Sequence, residues 1–138
     1  MSLSSLLIFQ GCSFTEQSRS KSPYFDGVIK FNDEPIENAR VMLSLNSKDT
    51  LCYKPVQTTT TNKLGQFSLK SAKEQSSYTP LLNYTFDEWV VCAEYKEQRY
   101  TLYSNNRYDF GNVSESVYLD CDFVLRPLSK PCKASLNQ

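Results

Sequence analysis

The chain has 138 residues, 15 basic and 15 acidic side chains, and no histidine. That length is the usual size of a single domain and suffices for a hydrophobic core, while zero net charge argues against a nucleic-acid binder, which needs a basic surface to neutralise phosphates. Without histidine there is no Ser–His or Cys–His nucleophile pair, no imidazole base and no His-containing zinc site, and a mean hydropathy of −0.47 fits a soluble β-rich domain.

At the N-terminus, Leu6-Leu7-Ile8-Phe9 is too short to span a bilayer, which takes ~20 apolar residues, and fits the end of a secretory signal. Phe9-Gln10-Gly11-Cys12 resembles a bacterial lipobox, in which the cysteine after the cleavage site carries a diacylglyceryl group. On this reading residues 1–12 end a signal peptide and Cys12 is the lipid attachment site. Residues 13–22, rich in Ser, Thr, Gln, Lys and Arg, are a flexible tether. A folded domain then spans 23–132, with a C-terminal tail over 133–138. Setting Cys12 aside leaves Cys52, Cys92, Cys121 and Cys132, an even set that reads as two disulfides in an exported protein. Three connectivities are open; the one favoured joins Cys52 to Cys92 and Cys121 to Cys132, the second tying the tail to the body. No Cys-x-x-Cys pair supports zinc or thioredoxin-like redox chemistry.

Period-two alternation, the strand signal, recurs from Phe25 onward. Phe25, Gly27, Ile29 and Phe31 share one face, with Asp26 and Lys30 on the other. Asn32-Asp33-Glu34-Pro35 is turn chemistry. Ala39, Val41, Leu43 and Leu45 alternate with polar neighbours, and Asn46 to Pro55 is a polar loop containing Cys52. Val56 to Thr61 is β-branched, Asn62-Lys63-Leu64-Gly65 is a tight turn, and Phe67 and Leu69 point inward from the next short strand. Residues 71–87 form a long irregular stretch. Trp89 to Tyr95 and Arg99 to Tyr103 make a hairpin around Lys96-Glu97-Gln98, followed by a second loop over 105–112. The last strand places Val117, Leu119, Cys121, Phe123 and Leu125 inward, and Tyr118, Asp120, Asp122 and Arg126 outward. Seven short strands without a helical pattern predict an all-β sandwich.

Two motifs make the expectation more specific. Phe25-x-Gly27-x-Ile29, followed by Glu34-Pro35-Ile36-x-x-Ala39-x-Val41-x-Leu43, resembles the opening of the carboxypeptidase regulatory-like, transthyretin-like (prealbumin-like) sandwich family. Thr61-Asn62-Lys63-Leu64-Gly65-Gln66-Phe67-x-Leu69 resembles that family's third-strand turn. The resemblance covers residues 25–69 and implies the transthyretin-like fold; with the seven strands and two disulfides read above, the expectation is a seven-stranded, disulfide-stapled transthyretin-like sandwich. In the turn, the Asn62 side chain caps, Gly65 takes a positive φ and Phe67 enters the core. The enzymatic branch of the fold, the hydroxyisourate hydrolases, depends on histidines and is excluded. The remaining members are accessory, adhesive or binding modules.

The remaining chemistry is sparse. Asp120 and Asp122 share one strand face and could serve acid–base work or hold Ca²⁺, but alternating charge on a strand is usually a solvated face; no metal ligand set or cofactor is assigned. The serines form no nucleophile elbow. Tyr78, Tyr84, Phe86, Arg107, Tyr108 and Phe110 lie in the two long loops, and Arg99 lies nearby. Aromatics with arginine suit a protein-contact surface, and sandwich recognition concentrates on loops. The expected function is therefore non-catalytic protein binding by a lipoprotein in the periplasm, anchored by its lipid to the outer membrane, with a toxin or effector as one partner and an immunity role as the concrete case. A structural envelope module and a carbohydrate- or calcium-binding module are the alternatives.

Overall fold

The computed structural model describes residues 18–75, 88–105 and 116–137. Among them are eleven strands and no helix. These are β1 (Ser18–Ser20), β2 (Tyr24–Phe31), β3 (Glu34–Pro35), β4 (Arg40–Ser44), β5 (Gln57–Thr60), β6 (Gln66–Leu69), β7 (Lys73–Gln75), β8 (Trp89–Tyr95), β9 (Gln98–Asn105), β10 (Ser116–Asp122) and β11 (Cys132–Asn137). Two sheets carry the domain. One runs β5-β4-β8-β9 and the other β11-β10-β2, with β3 and β6 sharing the far edge of β2. All the pairings are antiparallel except β2 with β10, which run parallel from Ser116↔Tyr24 to Asp122↔Lys30. The molecule is an all-β sandwich; the seven stretches read as strands fall on β2, β4, β5, β6, β8, β9 and β10, and β1, β3, β7 and β11 raise the number above the seven expected.

The core lies between the sheets. Phe25 and Ile29 from β2, Val41 and Leu43 from β4, Phe67 and Leu69 from β6, Trp89, Val91 and Ala93 from β8, and Val117, Leu119 and Cys121 from β10 form one buried cluster. Phe25 meets Trp89 edge-on at 6.4 Å between ring centroids, a favoured aromatic geometry. Gly27 sits where β2 runs closest to β10. A Cβ there would collide with the Leu119 carbonyl and touch the Phe67 ring, so only glycine lets the parallel pair form at this spacing.

A second, smaller cluster lies on the outer face of the other sheet, where Met42, Cys52, Val90 and Cys92 are fully buried. β4 and β8 are therefore covered on both faces, which is why Trp89 to Ala93 are buried without alternation. The cover is the segment 45–56 between β4 and β5. The Cys52–Cys92 disulfide, across a sequence separation of 40, pins it down. Cys121 and Cys132 form the second disulfide between directly paired residues of β10 and β11.

The 61–66 turn folds as its sequence implies. Asn62 Oδ1 accepts from the amides of Leu64 and Gln66 at 3.0 and 2.9 Å, and Gly65 has φ +73° with the Ile29 carbonyl directly beside it. Thr61, buried, donates to the Ile36 carbonyl at 2.7 Å and accepts from the Ala39 amide at 2.9 Å. It thereby locks the 36–39 segment to the start of the turn.

Several expectations are corrected. Residues 133–137 of the expected 133–138 tail belong to β11, because the alternation of Cys132, Ala134 and Leu136 opposite Cys121, Leu119 and Val117 continues the sheet. The tether does not extend to residue 22: β1 pairs with β7, Lys21 donates its amide to the Ala72 carbonyl at 2.6 Å, and buried Ser22 accepts from the Ala72 amide at 2.9 Å. Phe31 and Leu125, placed inward by alternation, are 52% and 62% exposed. Both lie where the sandwich ends and the chain turns, so no opposing sheet covers them.

Candidate functional site

Of the residues singled out from the sequence, Cys12, Tyr78, Tyr84, Phe86, Arg107, Tyr108 and Phe110 lie outside the described residues. The four disulfide cysteines, Cys52, Cys92, Cys121 and Cys132, are paired in the favoured connectivity. Arg99 is not presented to a partner. Its Nε binds Glu94 at 2.9 Å, its Nη1 donates to the carbonyls of Leu51 and Cys52 at 3.0 and 2.9 Å, and its guanidinium lies over the Tyr53 ring at 5.0 Å. It clamps the 45–56 cover onto β9, assisted by Thr101, which donates to the Thr50 carbonyl.

The paired carboxylates on β10 separate into two roles. Asp120 is half-buried and ion-paired, with Lys30 Nζ 3.2 Å from Oδ1 and Arg126 Nη2 3.4 Å from Oδ2. Asp122, expected on a solvated face, is 3% exposed. Four backbone amides donate to it: Asn32 and Asp33 at 3.1 and 2.8 Å, and Val124 and Leu125 both at 2.9 Å. Asn32 and Asp33 both have positive φ, 51° and 68°, the two-residue hairpin turn that lets β2 reverse into β3. This turn also aims two successive N–H groups at one anion. Burial alone would raise the Asp122 pKa, but the four amides outweigh it and hold the group down to about 2, below its ordinary 3.8. Asp49 does similar work in the cover: the Lys54 amide is the largest influence lowering its pKa, partial burial opposes this, and the Tyr53 amide, the Ser44 hydroxyl and the Arg99 charge add to the lowering. The amide and hydroxyl contacts lie at 2.8 to 3.1 Å. Both carboxylates are thus consumed in holding chain reversals. Among the described residues no group of three or more His, Cys, Asp or Glu is arranged to hold a metal ion.

Among the described residues, the remaining candidate is the long side of the sandwich where β9 and β11 face each other. β5 and β6 approach across the sheets on the opposite side, and β9 also approaches β10 and β11 on this one. Here a groove of about 590 Å³ runs between the two edge strands, lined by Thr101–Asn105 on one wall and by Ser129, Lys130, Cys132, Lys133 and Ala134 on the other. Among the described residues β9 pairs only with β8 and β11 only with β10, so each has one edge free of strand pairing. The lining carries two lysines, both exposed, and no carboxylate. Neither lysine has an ion-pair partner among the described residues. Sequence reasoning misses this groove because one wall is β11, whose short polar run resembles a tail; the alternation of Cys132, Ala134 and Leu136 is the signal that could have found it.

Residues 25–123 match the family described as Domain of unknown function (DUF6795). That span is most of the chain and takes in both sheets through β10, so the chain belongs to this family. No curated protein was found to match the sequence.

Proposed function

We propose that this chain is a non-catalytic protein-binding module of the bacterial envelope, exported and carried on a lipid at Cys12, with a transthyretin-like sandwich as its body. The observation that carries the reading is the β9–β11 side, a groove with strand edges on both walls and two uncommitted lysines. Three features support it. Two disulfides staple the fold, which suits an oxidising compartment. The Asp122 and Asp49 carboxylates and the Arg99 guanidinium are bound to the protein's own backbone, so these three groups serve the fold. Residues 25–69, where the sequence resembles the transthyretin-like family, fold into β2 to β6 across two facing sheets.

The test is affinity capture from the envelope fraction of the source bacterium, using the disulfide-bonded chain as bait. A saturable partner protein is expected, recovered at a fixed ratio to the bait and competed by excess unlabelled chain. Recovery of only non-saturable background proteins contradicts the proposal.

A further inference from the structure

We propose that the β9–β11 groove takes an extended acidic segment of a partner protein, which adds as a strand to the free edge of β11. This deepens the protein-binding reading and rests on it. Three observations fix the chemistry. First, among the described residues the outer edge of β11 pairs with no other strand, and such an edge presents main-chain donors and acceptors that an extended peptide satisfies regardless of its side chains. Second, the register divides the strand's side chains. Lys133 lies opposite Asp120 on the outer face, and Ala134 and Leu136 lie opposite core residues Leu119 and Val117 on the inner one. An added strand therefore meets positive charge with one set of alternate residues and apolar surface with the other, since Leu136 is 59% exposed. Third, Lys130 and Lys133 carry the charge of the groove without any acidic residue in its lining. Asp120, across from Lys133, is already bound by Lys30 and Arg126, so the groove keeps its positive charge for an incoming group. Lysine on an edge strand also opposes pairing with a second copy of the same strand, and this selects an acidic partner over self-association. The segment expected is one in which Asp or Glu alternates with Val, Ile or Leu over about six residues, the length of an ordinary strand.

The probe is a fluorescent peptide with a Glu-Val-Glu-Val-Glu-Val centre between Gly-Ser flanks, titrated with the full disulfide-bonded chain and read by anisotropy. The expected result is saturable binding that weakens about tenfold or more for the exposed double variant Lys130→Glu/Lys133→Glu, as lost charge complementarity of roughly 1.4 kcal/mol requires. Methylating alternate amides of the peptide, which blocks strand addition and leaves the charges, is expected to abolish binding. A Lys-Val-Lys-Val-Lys-Val peptide is expected to prefer the double variant. Absence of saturable binding, equal binding of the methylated peptide, or equal binding of unstructured polyglutamate overturns the proposal. If the double variant still captures the envelope partner, the acidic-strand inference fails while the protein-binding reading stands; if no partner is captured at all, that reading fails on its own test.

Discussion

Replacing Asp122 with alanine is expected to lower the unfolding free energy by about 4 kcal/mol, since hydrogen bonds to a charged group contribute about 1.5–3 kcal/mol each and four are lost together, with less than full additivity. The geometry explains the size. One carboxylate accepts from Asn32 and Asp33 at the β2–β3 turn and from Val124 and Leu125 after β10. Without it, amides from two chain reversals lose their acceptor at the same time. Asp122→Asn keeps the shape and one acceptor oxygen, and is expected to cost about half as much. The wild type also acquires a pH dependence with a defined sign. The folded-state pKa is depressed to about 2 from 3.8, so the stabilisation is complete above about pH 4 and is lost as pH falls through 2. Its size is about 2 kcal/mol, from the ~1.4 kcal/mol that each tenfold change in a proton-binding constant represents. Urea unfolding of the wild type and Asp122→Asn at pH 7, 4 and 2.5 checks both claims. The two proteins should converge in stability as the pH drops.

Removing the Cys52–Cys92 bridge by the double change Cys52→Ala/Cys92→Ala is expected to destabilise the domain more than removing Cys121–Cys132 in the same way. Loop-closure entropy grows with the chain enclosed, and sequence separations of 40 and 11 correspond to about 4 and about 3 kcal/mol. Packing widens the difference. Cys52 and Cys92 are half of the outer cluster that seals Met42 and Val90, and without the bridge the 45–56 cover keeps only hydrogen bonds and packing, among them those of Arg99, Thr101, Asp49 and the Ser47–Glu88 pair. The second bridge joins strands already paired along six residues, so its loss leaves β11 with its ladder intact. Denaturation midpoints of the two double variants, compared with the oxidised wild type, decide the order.

Much of the architecture is legible in the sequence because it rests on alternation, which depends only on strand geometry and a buried face. Phe25-x-Gly27-x-Ile29 and Val41-x-Leu43 show their faces in the sequence, and the Asn62–Gly65 turn announces itself through residues that its backbone requires. Alternation misleads where a strand runs past the facing sheet, as at Phe31 and Leu125, and where a loop folds over the outer face, as at Met42 and Val90. It also cannot tell a half-buried, ion-paired carboxylate from one that chain reversals enclose. Asp120 and Asp122 look equivalent in sequence, yet Asp122 is buried because the β2–β3 turn, 90 residues away in the chain from its acceptor, closes over the end of β10. The β9–β11 groove is hidden for a related reason. Its walls come from strands that never pair with each other, and one of them is a short, largely polar run at the end of the chain.

The proposed partner site is the β9–β11 side. Amide hydrogen exchange, compared between the free chain and the chain bound to its captured partner, is the decisive measurement, because edge-strand amides without a pairing neighbour exchange quickly until something covers them. Binding is expected to slow exchange over residues 101–105 and 129–136, with β5 and β6 on the opposite side unchanged. Slowing confined to β5 and β6, with 101–105 and 129–136 unaffected, would contradict it.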